Sequence, residues 1–507
     1  MDLLTNLGSG FLTALSPVNL MFALLGVMLG MVVGALPGIN PSGAVALLLP
    51  VGATLEPTTA IIMLAATYYG GMYGGTLTSV MVNIPGDSSS VATTFDGYKM
   101  ALKGQAGKAL GIAAIGSFVA GTMAAVMLMV AAPPLADWAV RFGPPEFFAL
   151  TLLGLTTLTA LGGGSKLKAA VMGVLGLLIG TIGLDPILGD SRFTFGNINL
   201  LNGIDFLPIV IGLFGLAEIA NILANRTRVE PVRYKLKGLL PDREDWRHAR
   251  GPIVRGGTVG FFGGMLPGSG GTLSSLLAYA LEGRVAKRRK QLGTGIVEGV
   301  AAPESANNAA ATGAMIPMLT LGIPGSATTA VLLGGLMMYG IQPGPLMINE
   351  NPDVFWGLVA SMYIGNILLL IINLPMVPLF VKALQLRPTT LVPIVIGVAL
   401  AGAYSLRNNL FDVLVVIIAG AIGYFLRQFG YPAAPLVLAM VLGPMVEQSL
   451  RQSLQMSQGS LFILLERPVS LAVLTLAALI IAAPFLGGLI TRARNRRGAD
   501  PRVDATP

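Results

Sequence analysis

Residues 256–283 read GGTVGFFGGMLPGSGGTLSSLLAYALEG, an apolar stretch long enough to cross a bilayer. Basic segments flank it on both sides, with nine Lys and Arg from Arg226 to Arg255 and five from Arg284 to Lys290. Lys and Arg gather on the cytoplasmic side of membrane proteins. Both ends of the stretch therefore belong on one side, and the chain must enter and return. Its centre, Leu266-Pro267-Gly268-Ser269-Gly270-Gly271, favours a turn over a continued helix. The spacing predicts a re-entrant hairpin. Such irregular backbone is tolerated at membrane depth only where it is buried in protein or lines a water-filled cavity.

Composition agrees with this reading. Of 507 residues, 54% are hydrophobic and 11% charged, against roughly 25% charged in a soluble domain. That excludes a soluble enzyme, a collagen and a disordered chain, and predicts an all-α polytopic membrane protein. The absence of cysteine excludes disulfides, thiolate metal sites and cysteine nucleophiles. The net charge of +8 reflects basic loops rather than a nucleic-acid partner. The first Lys or Arg is Lys99, so the start lacks a signal peptide's basic region and the N-terminus is expected to be retained.

Further basic clusters lie at Lys99, Lys103 and Lys108, at Lys166 and Lys168, and from Arg492 to Arg497. With every cluster in the cytoplasm, spans fall near 109–131, 147–164, 169–184 and 205–224, then near 354–380, 389–405, 410–426, 432–446 and 468–490. The tracts 57–98 and 292–342 must each cross an odd number of times. Only Arg141, Arg192, Arg407, Arg451 and Arg467 are left outside. The expected total is about 11 spans plus 2 hairpins, with the N-terminus outside and the C-terminus cytoplasmic.

The chain also repeats itself. Gly34-Ala35-Leu36-Pro37-Gly38 recurs as Gly264-Met265-Leu266-Pro267-Gly268, 230 residues on. Asn83-Ile84-Pro85-Gly86-Asp87-Ser88 recurs as Gly322-Ile323-Pro324-Gly325-Ser326-Ala327, 239 residues on. A looser match joins Leu213–Glu218 to Leu442–Glu447. The loop after the second motif is basic in the first half and acidic in the second, with Glu350 and Asp353. Equivalent loops therefore belong on opposite sides, which predicts two inverted-topology repeats, an architecture of secondary transporters. The expected organisation is repeat 1 over 1–225, a basic linker over 226–255, inverted repeat 2 over 256–450, a loop and final span over 451–490, and a basic tail over 491–507.

Each half carries two Pro-Gly breaks, after Pro37, Pro85, Pro267 and Pro324. A helix interrupted at midplane exposes N–H groups carrying about half a positive charge, which suits a carboxylate. A single break is more often a packing kink; four of them, paired by a repeat and followed by small polar residues, point to a ligand. The candidate substrate-binding residues are Gly38, Asn40, Ser42, Gly86, Ser88, Ser89, Gly268, Ser269, Gly270, Asn308, Gly325, Ser326 and Thr328. Asn83, Asp87, Glu304 and Asn307 are candidate Na⁺ ligands, with H⁺ as the alternative coupling ion. Glu218 and Glu447 are weaker candidates near span ends. His248, the only histidine, lies in the basic linker and is expected at the surface. The chain has no HExxH, Walker or GxSxG pattern, which leaves an intramembrane enzyme without catalytic residues and an ion gradient as the energy source.

At these motifs the sequence resembles the large membrane subunit of the tripartite tricarboxylate transporters (TctA type). The resemblance rests on Tyr68-Tyr69-Gly70-Gly71-Met72-Tyr73-Gly74-Gly75, on Asn83–Asp87, on Pro303-Glu304-Ser305-Ala306-Asn307-Asn308-Ala309-Ala310 and on Leu321–Ser326. It implies a cation-coupled importer of small organic carboxylates that works with a small four-span membrane subunit and a periplasmic solute-binding protein. A homodimer is compatible with it, and no cofactor beyond the coupling ion is implied. The rival readings are a stand-alone carboxylate and cation symporter without a binding protein, and a channel.

Overall fold

The structure, a computed structural model, describes residues 3–35, 40–161, 165–185, 189–224, 240–266, 270–383 and 388–482. In the first half the helices are α1 (Leu3–Ala14), α2 (Pro17–Ala35), α3 (Pro41–Gly52), α4 (Pro57–Val82), α5 (Val91–Leu102), α6 (Ala106–Ala139), α7 (Pro144–Leu161), α8 (Lys166–Gly180), α9 (Phe206–Val210) and α10 (Ala217–Ala224). A π-helical turn, Ile211–Leu216, joins α9 to α10. The second half comprises α11 (Arg243–Met265), α12 (Gly270–Val285), α13 (Glu298–Gly313), α14 (Met315–Leu321), α15 (Ala327–Met337), α16 (Met347–Glu350), α17 (Pro352–Ala383), α18 (Pro388–Arg407), α19 (Leu410–Gln428), α20 (Ala434–Met456) and α21 (Ile463–Glu466). A shorter apolar helix follows over Pro468–Ala482. The described strand structure is one two-residue pairing, Gly183–Leu184 with Ser191–Arg192. The protein is an all-α membrane protein. Among the described residues, four helices are long and apolar enough to cross a bilayer: Pro17–Ala35, Ala106–Ala139, Pro352–Asn373 and Leu410–Gln428.

Glycine sets how closely the central helices approach. Along α2, a Cβ added at Gly26, Gly30 or Gly34 would lie 2.4, 2.3 or 2.2 Å from the carbonyl oxygens of Met63, Thr67 and Gly71 on α4. Along α11, a Cβ at Gly256, Gly260 or Gly264 would lie 2.3, 2.2 or 2.2 Å from those of Ala302, Ala306 and Ala310 on α13. Within a bilayer, such small-residue seams let backbones pack where hydrophobic driving force is missing. The α11 residues follow their α2 counterparts by 230 positions, and the α13 residues follow those of α4 by 239. These are the two offsets of the sequence motifs, so the repeat is reproduced contact by contact. Helix α12 packs along α11, and residues 267–269 at the centre of the expected hairpin lie outside the described residues.

Ion pairs sort the loops into two sets. Lys108 binds Asp242 and Asp245 at 2.7 and 2.8 Å, Arg288 binds Glu298, and Arg255 binds Glu282. Lys108 holds the carboxyl of Asp242 down at about 2. Elsewhere, Arg192 and Arg451 share Asp185 and Glu447, Arg407 binds Asp205, and Arg467 lies 3.9 Å from Glu146. Each of these pairs joins residues that the charge pattern puts on one side. Glu218 is paired with Arg427, and Glu447 with Arg192 and Arg451, so neither is a free carboxylate for substrate chemistry. His248 is not simply a surface residue, because its Nδ1 lies 3.3 Å from Glu298.

Candidate functional site

Both second-motif breaks are built alike. In the first, α4 ends at Val82, Asn83 turns left-handed at φ 60°, and Asp87 caps the turn Ser88–Ser90 that leads into α5. In the second, α14 ends at Leu321, Gly322 turns at φ 70°, and Ser326 caps α15. Asparagine tolerates that conformation better than other non-glycine residues, which accounts for its place at 83. Both starts carry a reciprocal capping box, Asp87 with Ser90 and Ser326 with Thr329. Gly86 and Gly325 then let the two breaks close onto the hairpin stems. A Cβ at Gly86 would sit 2.4 Å from the Gly34 carbonyl, and one at Gly325 3.0 Å from the Gly264 carbonyl.

These contacts draw the breaks together. The Thr272 hydroxyl at the start of α12 donates to Ser88 Oγ at 2.8 Å. A Cβ added at Gly271 would meet Ser89 Cβ and Asn307 Oδ1, each at 2.9 Å, while one at Gly270 would approach Ser326 to 4.0 Å. Tyr68 on α4 faces Ser326 and Asp87. Asp87 accepts from the Ser89 backbone N–H at 3.1 Å and from the Ser89 hydroxyl. At the centre lies Asn307, fully buried, with neither its Oδ1 nor its Nδ2 bonded. A buried amide left without partners costs about 1–3 kcal/mol per group.

The remaining predicted residues divide. Asn40 and Ser42 open α3, where Pro41 packs against Gly71, and Thr328 is buried in the first turn of α15. Gly38, Gly268 and Ser269 lie outside the described residues. Asn83 is exposed and acts through its backbone. Glu304 is fully buried one turn before Asn307. Its carboxylate accepts from the Thr76 hydroxyl at 2.5 Å and from the Thr93 hydroxyl. Asn308 turns elsewhere: its Nδ2 donates to Ser117 Oγ at 2.7 Å and to the Glu304 carbonyl at 3.2 Å. Helical spacing puts it on a face different from that of Asn307.

Sequence reasoning missed three of these groups. Thr76 and Thr93 hold Glu304 from α4 and α5. Asp96 is buried and accepts from the backbone N–H groups of Gly293, Gly295 and Ile296 at 2.9, 2.6 and 3.0 Å, and from the Tyr279 hydroxyl at 2.8 Å. A lone acid just before Lys99 was the available signal for Asp96.

Residues 20–438 match the TctA family, described as the tripartite tricarboxylate transporter TctA family. The chain belongs to the TctA family. Among its relatives is an Agrobacterium vitis protein named as an uncharacterized 52.8 kDa protein in the TAR-I ttuC' 3' region, 46% identical over 484 residues, which cover 95% of this chain and 96% of that protein. A second, from the TAR-II ttuC' 3' region of the same organism, is 43% identical over 223 residues, 44% of this chain and 92% of that protein. No solved structure matches the chain. Membership makes this a tricarboxylate transporter subunit and a multi-pass membrane protein.

Proposed function

We propose that the protein is the translocating subunit of a cation-coupled importer of tricarboxylates or other small organic carboxylates, and that the carboxylates bind where the breaks converge. The observation that carries this reading is Asn307, buried and unbonded between the α12 tip and Ser89. Around it lie the starts of helices α5, α12 and α15, whose partial positive charge favours anions, with Ser88, Ser89 and Ser326 as neutral hydroxyl donors. Na⁺ is the coupling ion in this reading, with Asp87 and Glu304 as its acidic contacts. The substrate is delivered by a periplasmic solute-binding protein, and a small four-span subunit completes the assembly in the inner membrane.

Inverted repeats are supported by where the two post-break loops sit. The loop after the first break leads directly into the N-terminal end of α6, at Ala106. Residues Pro345 to Pro352, after the second break, line a cleft with Pro133, Ala136 and Asp137 at the other end of α6. Those ends are separated by roughly 45 Å at 1.5 Å per residue. Leu3 and Asn6 line the same cleft, in keeping with a periplasmic N-terminus. Transport then follows as one bundle rocks or slides against the other.

The test is uptake of labelled citrate and succinate into proteoliposomes holding the subunit with its small partner and binding protein, with Na⁺ and pH gradients imposed separately. Saturable uptake driven by the Na⁺ gradient is expected, and Asn307→Ala should lower it about tenfold or more. Gradient-independent, non-saturating flux would make the protein a channel. Equal uptake without the binding protein would make it a stand-alone carrier.

A further inference from the structure

Asn307, at the centre of the converging breaks, is 0% exposed, and neither of its amide atoms has a partner in the protein. Its polar neighbours on α13 are bonded. The Glu304 carboxylate accepts from Thr76 and Thr93. Asn308 turns to Ser117, beside a separate cavity of about 10 Å³ that it lines together with Asn366 and Asn373. The wall opposite Asn307 does not supply what it lacks: Gly271 brings no side chain, and the Ser89 hydroxyl turns to Asp87.

A side-chain amide holds an acceptor oxygen and a donor nitrogen side by side in one plane. A guest that satisfies both atoms must itself present a donor next to an acceptor, the pattern by which asparagine reads adenine. Exchanging the oxygen and nitrogen of the amide leaves this requirement unchanged. A plain dicarboxylate fails it. Ionised carboxylates only accept, so succinate set against Asn307 satisfies Nδ2 and leaves Oδ1 facing lone pairs. A carboxylate with a hydroxyl on the neighbouring carbon meets it, because the hydroxyl donates to Oδ1 while the carboxylate accepts from Nδ2.

We propose, resting on the carboxylate site described above, that Asn307 is its specificity-determining residue and selects 2-hydroxycarboxylates over carboxylates that lack the hydroxyl. The number of carboxylates is secondary in this scheme. A dicarboxylate and a tricarboxylate that carry the hydroxyl present the same group to the amide, and their other carboxylates are left to the helix starts around it. Selection of this kind is strong in a buried site, because the analogue without the hydroxyl leaves a polar group unpaired.

The experiment is calorimetric binding to the purified full chain in detergent, with Na⁺ present and no binding protein, so that the selectivity measured belongs to this subunit. Two pairs of ligands differ by the hydroxyl alone: malate against succinate, and citrate against tricarballylate. In each pair the hydroxylated member should bind roughly tenfold or more tighter. Asn307→Ala should weaken the hydroxylated members and bring each pair to within about twofold. Asn307→Leu, which replaces the amide by an apolar group of similar shape, carries the same test if Asn307→Ala does not give monodisperse protein. Members of each pair binding alike in the parent chain would overturn the proposal and leave Asn307 to water, with the carboxylate site intact. So would a hydroxyl preference that persists undiminished in whichever variant folds. If none of the four ligands binds, the carboxylate site itself falls, and the selectivity with it.

Discussion

The two helix breaks share a backbone and differ in chemistry. Asn83 and Gly322 turn alike, Gly86 and Gly325 meet the same stem carbonyls, and capping boxes follow at the same offset. Yet the first break leads to a polar half-helix and the second to an apolar one. After Asp87, α5 carries Thr93 to Glu304 and Asp96 to the loop before α13, while Lys99 and Lys103 reach the carbonyls of Gly293 and Gly295. After Ser326, α15 is buried almost throughout among Val331, Leu332, Leu333 and Leu336. The two breaks share their geometry, and the charge lies on one side of it.

That contrast can be broken most forcefully at the seams. Gly30→Ala and Gly260→Ala each push a methyl to within 2.3 Å of a backbone oxygen, so each should cost about 3 kcal/mol or prevent folding. Detergent thermal unfolding would read this, and a large difference between the two would show that the halves do not share a scaffold. Next comes Asp96→Ala, which strands three backbone N–H groups and should cost about 3 kcal/mol. The apolar α15 has no equivalent, and a neutral result would dissolve the asymmetry. Glu304→Gln sharpens the chemical half of the argument. Uptake should fall at least about tenfold with thermal stability nearly unchanged, and Thr76→Val and Thr93→Val should fall between the two.

Smaller effects separate capping from chemistry. Asp87→Ala and Ser326→Ala remove equivalent caps and should each cost about 1 kcal/mol, but Asp87→Ala should lower uptake more. Equal uptake losses would make Asp87 a cap only. Smallest of all, Lys108→Ala removes a solvent-facing pair and should hardly move the melting temperature at neutral pH. The folded-state pKa of Asp242 lies below its ordinary value of 3.8. Its contribution is therefore present above that value and fades as pH falls toward about 2, an acid window that Lys108→Ala should erase in a pH series.

Much of this architecture was legible because glycine and proline have local meaning. The hairpin at 256–283, the breaks at Pro85 and Pro324 and the two offsets followed from residues that restrict or free the backbone. Facing was harder to read. Residues Thr59 to Met81 of α4 are buried on every side, so no apolar stripe reveals which way Thr76 points. For the same reason Asn307 and Asn308 looked equivalent, though one meets the α12 tip and the other meets Ser117. Asn366 and Asn373 were visible as polar residues in an apolar helix, but only packing brings them to one cavity.

The clasp around Asp96 constrains how the molecule can open. One carboxylate holds the amides of Gly293, Gly295 and Ile296 and a tyrosine of the other half, while Lys99 on the same helix and Lys103 just past its end reach the carbonyls of Gly293 and Gly295. Parting α5 from that loop releases all of these together, because no bond in the set can stretch far while the rest stay made. Any separation of α5 from that loop should therefore behave as a latch with two positions, shut or sprung, rather than as a graded loosening.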